Sequence, residues 1–217
     1  MLKNLTNVTV ALLGAVATSA ATLPAPSMAT SSVQPPFSIV PESPTQETET
    51  KEVVPEKPKV KRLVCKGCND NESRTLEFLQ DRGITDKNAL ATIMGNIRQE
   101  STFIPNICEG GARVPYHACR SGGVGILQWT NAPRYYGLGK FAARIGGDPS
   151  TLDTQLQYMM YESDWKMIEN QMKTPGKSIN DYMRLARKWI RWGHTGARVD
   201  YAYNYANKMV LTEVEKS

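Results

Sequence analysis

The chain has 217 residues, 41% of them hydrophobic and 22% charged, with a net charge of +5. That composition fits one ordinary globular domain with extensions, and it excludes collagen-like, wholly disordered and multi-span membrane classes. Residues 1–72 hold seven basic and seven acidic side chains, and residues 73–217 hold nineteen and fourteen. The basic surface therefore belongs to the C-terminal part and suits an anionic partner such as an acidic cell wall. No Lys/Arg run forms a nucleic-acid stripe, and no nucleic-acid partner is expected.

Lys3 opens the chain, Val8 to Leu23 is apolar and uncharged, and small residues follow through Ala29. These are the parts of a secretory signal peptide, expected over residues 1–29. The apolar stretch is shorter than the about 20 residues a membrane span needs, so no stable membrane insertion is expected. Pro24 to Pro58 contains eight prolines, no glycine and one aromatic residue, Phe37. It cannot bury enough apolar surface to offset ordering entropy, and residues 30–69 read as a disordered, proline-rich linker. All Tyr and Trp residues lie between Tyr116 and Tyr205. The folded domain is expected over residues 70–212.

Within it the class is mainly α. Ser73 caps a first helix through Arg82, stopped by Gly83. Thr85 or Asp86 caps a second, to Gln99 or Glu100, with Leu90, Ile93 and Ile97 in steps of three and four marking a buried stripe. Residues 101–130 lack a helical period and hold Gly110, Gly111, Gly122, Gly123 and Gly125. They read as a long functional loop or small hairpin. Helices resume over Ala132–Ile145. Ser150 with Asp153 forms a capping box for one long helix to Lys173. Ser178 starts another through Trp192, and a last one covers Ala197–Leu211.

Glu100 continues the buried stripe by one step, at the end of its helix and the start of the glycine-rich loop. Desolvation and the helix C-terminus both favour its neutral form there, which suits a general acid. The competing reading is a structural ion pair with Arg98 or Arg120. The second signal is Ser121-Gly-Gly-Val-Gly-Ile-Leu-Gln128-Trp129-Thr130. Glycines such as Gly125 let backbone approach a ligand, Gln128 offers a donor and an acceptor, and Trp129 offers an apolar face. That combination suits a sugar. The competing reading is a turn before a core Trp.

Taken together, Gln99-Glu-Ser-Thr-Phe-Ile-Pro105 and Gly123-Val-Gly-Ile-Leu-Gln-Trp129 resemble the lysozyme superfamily. The pattern is shared by soluble lytic transglycosylases, goose-type lysozymes and phage tail lysozyme domains. Met94-Gly-Asn-Ile-Arg-Gln-Glu-Ser101, Gly125-Ile-Leu-Gln-Trp-Thr130 and Gln155-Leu-Gln-Tyr-Met-Met-Tyr-Glu162 look most like the last group. The resemblance covers about Ser73–Val210. It implies a lysozyme-like catalytic domain that cleaves the β-1,4 bond between N-acetylmuramic acid and N-acetylglucosamine, without a cofactor or metal. It makes Glu100 the general acid, lets Ser101 orient its carboxylate, and places Gln128 in the saccharide cleft. Tyr158 or Tyr161 is expected to line that cleft, and Glu162 matches a family position. Peptidoglycan is the expected substrate and phage tail proteins are possible partners.

Glycoside hydrolysis commonly uses two carboxylates. Glu109, Asp148, Asp153, Glu162 and Asp164 are the candidates for the second, with Asp153 favoured as a cap. Without a base for water, the sugar's own 6-hydroxyl attacks and leaves an anhydro product, so hydrolase and lytic transglycosylase both stay open. So does an inactive wall-binding or virion module. Cys108 and Cys119, both in the loop, are expected to form a disulfide in an exported protein; Cys65 and Cys68 pair with each other or cross with them. A zinc site from the same four residues, with His117 as an alternative ligand, and a cysteine peptidase using Cys108 or Cys119 with His194 are weaker competitors. A signal peptide implies a secreted or periplasmic protein, whereas a tail component is virion-associated and needs none.

Overall fold

The computed structural model describes residues 58–120 and 122–215. The expected signal peptide, and the linker through residue 57, lie outside the described residues. Among the described residues there are eight α-helices and one two-stranded ribbon, so the domain is mainly α.

The ribbon was not expected. β1 (Lys59–Cys65) pairs antiparallel with β2 (Met209–Glu215), with Lys59 opposite Glu215, Lys61 opposite Glu213 and Cys65 opposite Met209. Opposite charges face across the ladder at its open end. Residues 59–69, placed in the linker by composition, instead supply this strand, a turn closed by the Cys65–Cys68 disulfide, and the cap of the next helix. An isolated two-stranded ribbon is marginal in water. Here α1 (Asp70–Asp81) supports it, because the Gln80 amide both accepts from Leu63 N and donates to Leu63 O, each at 2.9 Å. The cap of α1 is Asn69 with Glu72 in a capping box, not Ser73, so the helix starts four residues earlier than expected.

α2 (Lys87–Ser101) starts at its expected cap, Asp86, and is buried on nearly all sides from Ala89 to Ile97. It is the central helix of the domain, as all-round burial requires. α8 (Arg198–Lys208) crosses it at Gly95. A Cβ on Gly95 would sit 2.6 Å from Ala202 N and 2.8 Å from Arg198 O, so the two backbones touch where only glycine fits. The helix expected to reach Leu211 ends at Lys208 and the chain leaves as β2.

α3 (Ala132–Ile145) has its expected bounds, capped by Asn131 and ended by Gly146 in the left-handed region. The single long helix expected to Lys173 is three: α4 (Leu152–Tyr161), α5 (Ser163–Lys166) and α6 (Glu169–Lys173). The first break is Glu162, whose backbone is extended (φ −59°, ψ 142°). Its carboxylate turns onto Arg134 of α3 in a two-pronged pair of 2.6 and 2.8 Å. No glycine or proline marks that break. Nor do Ser150 and Asp153 form a capping box: Ser150 accepts from Tyr116 N at 2.8 Å and Asp153 pairs with Arg74 at 2.8 Å. α7 (Ile179–Ile190) begins at Ser178 as expected and stops two residues before Trp192, at Arg191 in the left-handed region.

The loop between α2 and α3 is irregular backbone with two β-bridges, Ile107–Arg113 and Cys108–Val124, and a 3-10 turn at Tyr116–Ala118. Tyr116 stacks on Tyr135 of α3 at 4.5 Å, and each hydroxyl donates to the other's carbonyl, at 2.6 and 2.9 Å.

Two outcomes follow from this packing. Gly95→Ala should lower stability by about 1–3 kcal/mol or more, the range for overpacking, read as a fall in the urea midpoint. Burial, helped by neighbouring Tyr135, pushes the Tyr116 hydroxyl up to about 12 from 10.0, and burial against Glu72 raises Tyr205 as well. Folding therefore favours the neutral phenols. Both contributions are full below about pH 10; that of Tyr116 is lost as pH rises through about 12, and that of Tyr205 at higher pH still. The urea midpoint should drop steeply above pH 10, and Tyr116→Phe should flatten part of that drop.

Candidate active site

Glu100 lies in the last turn of α2 and opens onto a cleft of about 730 Å³. The cleft is walled by the loop, the start of α3 and the α7–α8 connection, with Gln128, Arg134, Trp192 and Arg198 among its lining residues. The carboxylate does not face an apolar wall. Its Oε1 is held by Arg198 Nη2, whose guanidinium also donates through Nη1 to His194 O and Thr195 O, both at 3.0 Å. An arginine partner was the competing reading from sequence, with Arg98 or Arg120 named for it, and Arg198 takes that place. Arg98 instead lies 3.6 Å from Glu72. The pair is well enclosed, with 7% of the Arg198 side chain and 15% of Glu100 exposed. The Trp192 ring lies 4.8 Å from the Arg198 guanidinium and covers it. No local signal in the sequence marks Arg198, because it lies 98 positions from Glu100 and meets it only through the α2–α8 crossing. Gln99, next to Glu100, accepts from Ala197 N at 2.8 Å, so adjacent residues of α2 fasten the start of α8.

Beyond Glu100 the backbone turns sharply. Thr102 and Phe103 are both left-handed, with φ 51° and 62°. Non-glycine residues there cost about 1–2 kcal/mol each and persist only when their surroundings impose them. Phe103 is fully buried against Tyr205, and Asn71 donates to its carbonyl at 2.9 Å. Ser101 was expected to orient the Glu100 carboxylate. It is buried, and its hydroxyl donates to Ile126 O at 3.0 Å and Ile97 O at 3.3 Å, tying the helix end to the loop.

The loop residues divide in the same way. Gln128 lines the cleft with a left-handed backbone (φ 47°), and its Nε2 donates to Gly125 O at 3.0 Å. Trp129 is wholly buried beside Tyr158 and cannot offer its face to a sugar, so the aromatic wall of the cleft is Trp192. Gly125 makes room for a side chain rather than a ligand: a Cβ there would overlap the Gln155 amide. Gln155, fully buried, was not singled out by the sequence. Its Oε1 accepts from Ile126 N at 2.8 Å, and its Nε2 donates to Pro105 O and Pro149 O at 2.6 and 2.7 Å. Tyr158 and Glu162 fall outside the Glu100 cleft. They line a neighbouring groove of about 750 Å³ between α3 and α4–α5, together with Tyr161. Tyr158 donates to Arg134 O at 2.8 Å.

Of the five candidate second carboxylates, only Glu109 lines the same cleft as Glu100. Asp148 accepts from Ser150 N, Asp153 and Asp164 pair with Arg74 and Arg191, and Glu162 pairs with Arg134. The cysteines form Cys65–Cys68 and Cys108–Cys119, which leaves no thiolate among them for zinc or for a peptidase nucleophile. Among the described residues no helix is long and apolar enough to cross a membrane.

A mainly helical domain, with a glutamate at the end of its central helix and a glycine-rich loop beside it, has the plan of a lysozyme-like domain. The chain belongs to the phage tail lysozyme family, whose model matches residues 70–210. It is also 34% identical over 98 residues to morphogenesis protein 1 of Bacillus phage B103, a match that covers 43% of this chain. That match spans only 24% of the relative's length. Family membership supports a peptidoglycan-lytic or phage structural role, in a virion-associated or extracellular setting.

Removing one partner from an enclosed ion pair leaves the other charge uncompensated, which typically costs about 3–5 kcal/mol. Arg198→Ala should therefore destabilise the domain by about 3 kcal/mol, the lower end because Glu100 is partly open to the cleft. Urea unfolding of both proteins measures it. Glu100→Gln keeps a polar partner for the guanidinium and should cost less.

Proposed function

We propose that the chain is a peptidoglycan glycosidase that cleaves the β-1,4 bond between N-acetylmuramic acid and N-acetylglucosamine, with Glu100 as general acid. The observation that carries this reading is the placement of Glu100 in an open polar cleft on a fold of the phage tail lysozyme family. Arg198 holds one carboxylate oxygen, and Oε2 carries no hydrogen bond from the described residues. A carboxyl group held through one oxygen presents its second oxygen to the glycosidic oxygen and, once that second oxygen has taken up a proton, delivers it as the bond breaks. Trp192 supplies an apolar face and Gln128 supplies polar edges for the sugar rings. The net charge of +5 favours approach to an anionic wall. The protein would act outside the cell, either exported or carried by a virion, with phage tail proteins as partners in the second case.

The test is digestion of purified peptidoglycan by the full chain and by Glu100→Gln, with products read by mass spectrometry. Wild type should release muropeptides, and the variant should lose about 100-fold or more of that rate while its circular dichroism is unchanged. Well-folded wild type that releases nothing would instead mark a wall-binding or virion structural module.

A further inference from the structure

We propose that Glu109 is the second carboxylate of the site: it takes the proton from the water that attacks the anomeric carbon, which makes the chain an inverting hydrolase rather than a lytic transglycosylase. This inference rests on Glu100 as the acid.

Glu109 reaches the Glu100 cleft from a different element, the loop rather than the helix. Its position is built, not incidental. Its backbone N donates to Gly123 O at 2.8 Å, and Gly123 N donates back to its Oε2 at 2.9 Å. The two residues thus clasp each other through backbone and side chain. Gly122 is left-handed (φ 77°), and a Cβ on it would overlap the Glu109 carboxylate, so this glycine leaves the space in which that side chain sits. Cys108, immediately before Glu109, is bridged to Cys119 and paired with Val124, which holds the same segment from its other side. Among the described residues no guanidinium or ammonium pairs with Glu109, unlike Glu162, Asp153 and Asp164. The residue is exposed at the cleft, where water reaches it. Here one carboxylate oxygen is fastened by Gly123 N, and the residue as a whole is exposed at the cleft.

The step balances as follows. The Glu100 carboxyl gives its proton to the bridging oxygen, and the electron pair of the C1–O bond leaves with that oxygen. Water forms the new bond to C1 from the opposite face, and its proton passes to Glu109. One water is consumed. Glu109 then returns its proton to solvent and Glu100 regains one. A carboxylate that activates water in this way leaves the product inverted, whereas one that attacks C1 itself gives retention. Attack by the sugar's own 6-hydroxyl would consume no water.

The experiment uses the full chain with soluble peptidoglycan oligosaccharides, and reads the first-formed anomer by proton NMR. Wild type should release the α-anomer first, with reducing ends. Glu109→Gln keeps an acceptor for Gly123 N, and should lose about 100-fold or more of the rate with unchanged circular dichroism. Glu109→Ala with added azide should form the α-glycosyl azide, a product that a merely structural residue would not restore. β-Anomer first, anhydro ends, or Glu109→Gln within about threefold of wild type would each overturn the proposal. If Glu109→Gln stays active while Glu100→Gln is dead, Glu109 is rejected and Glu100 stands. If wild type cleaves nothing, both fall.

Discussion

The close approach of α8 to α2 at Gly95 is the constraint from which the site follows. Two helices meet backbone to backbone only where no side chain intervenes, and a Cβ at residue 95 would touch both Ala202 N and Arg198 O. The crossing therefore fixes where Arg198 begins its side chain. From that point the guanidinium reaches Glu100, one and a half turns further along α2. The carboxylate's orientation is thus set by a contact in the interior of the domain, not by its neighbours in sequence. Gln99 on Ala197 N repeats the arrangement one residue earlier. The connection between α7 and α8, which forms one wall of the cleft, is held at the same junction.

The other wall depends on polar groups buried beneath it. A loop this long carries many backbone groups that water cannot reach, and each needs a partner. Gln155 supplies three such bonds from one amide, and Ser101 supplies another to Ile126 O. Gly125 is the space that lets the Gln155 amide in. The left-handed pair Thr102–Phe103 stores strain next to Glu100, and the burial of Phe103 offsets it. Most residues of the glycine-rich motif build the wall, and Leu127, Gln128 and Thr130 also line the cleft.

This explains what was legible in the sequence. Periodicity located α2 and its end, because the stripe Leu90, Ile93, Ile97 is a local property, and extending it by one step reached Glu100. Caps with local chemistry, Asp86 and Ser178, also showed. What failed was long-range. β1 has four of its seven residues polar, charged or cysteine in a segment whose composition matches the linker, and its partner lies at the far end of the domain. The break at Glu162 comes from a pair with Arg134, and local propensity over residues 150–173 contains no trace of it. Trp129 and Trp192 look alike in sequence, yet the first is core and the second is cleft, because burial is decided by packing across the fold. Tyr158 and Glu162 share a motif with the site but belong to the groove behind α3.

The two walls of the cleft are stabilised by different physics. Glu100 stands on a helix buried on nearly all sides, so the hydrophobic core holds it. Glu109 stands on irregular backbone whose apolar anchors, Phe103, Val124, Ile126 and Trp129, lie towards the two ends of the loop, so a covalent link helps to hold the stretch between them. The Cys108–Cys119 bridge closes the loop just before Glu109, and such links contribute about 2–4 kcal/mol in the usual range. Disulfides of this kind persist in oxidising surroundings. In a reducing compartment the helix wall would keep its shape while the loop wall lost its brace. The proposed acid thus rests on the core of the domain, and the proposed second carboxylate rests on a loop that a disulfide closes.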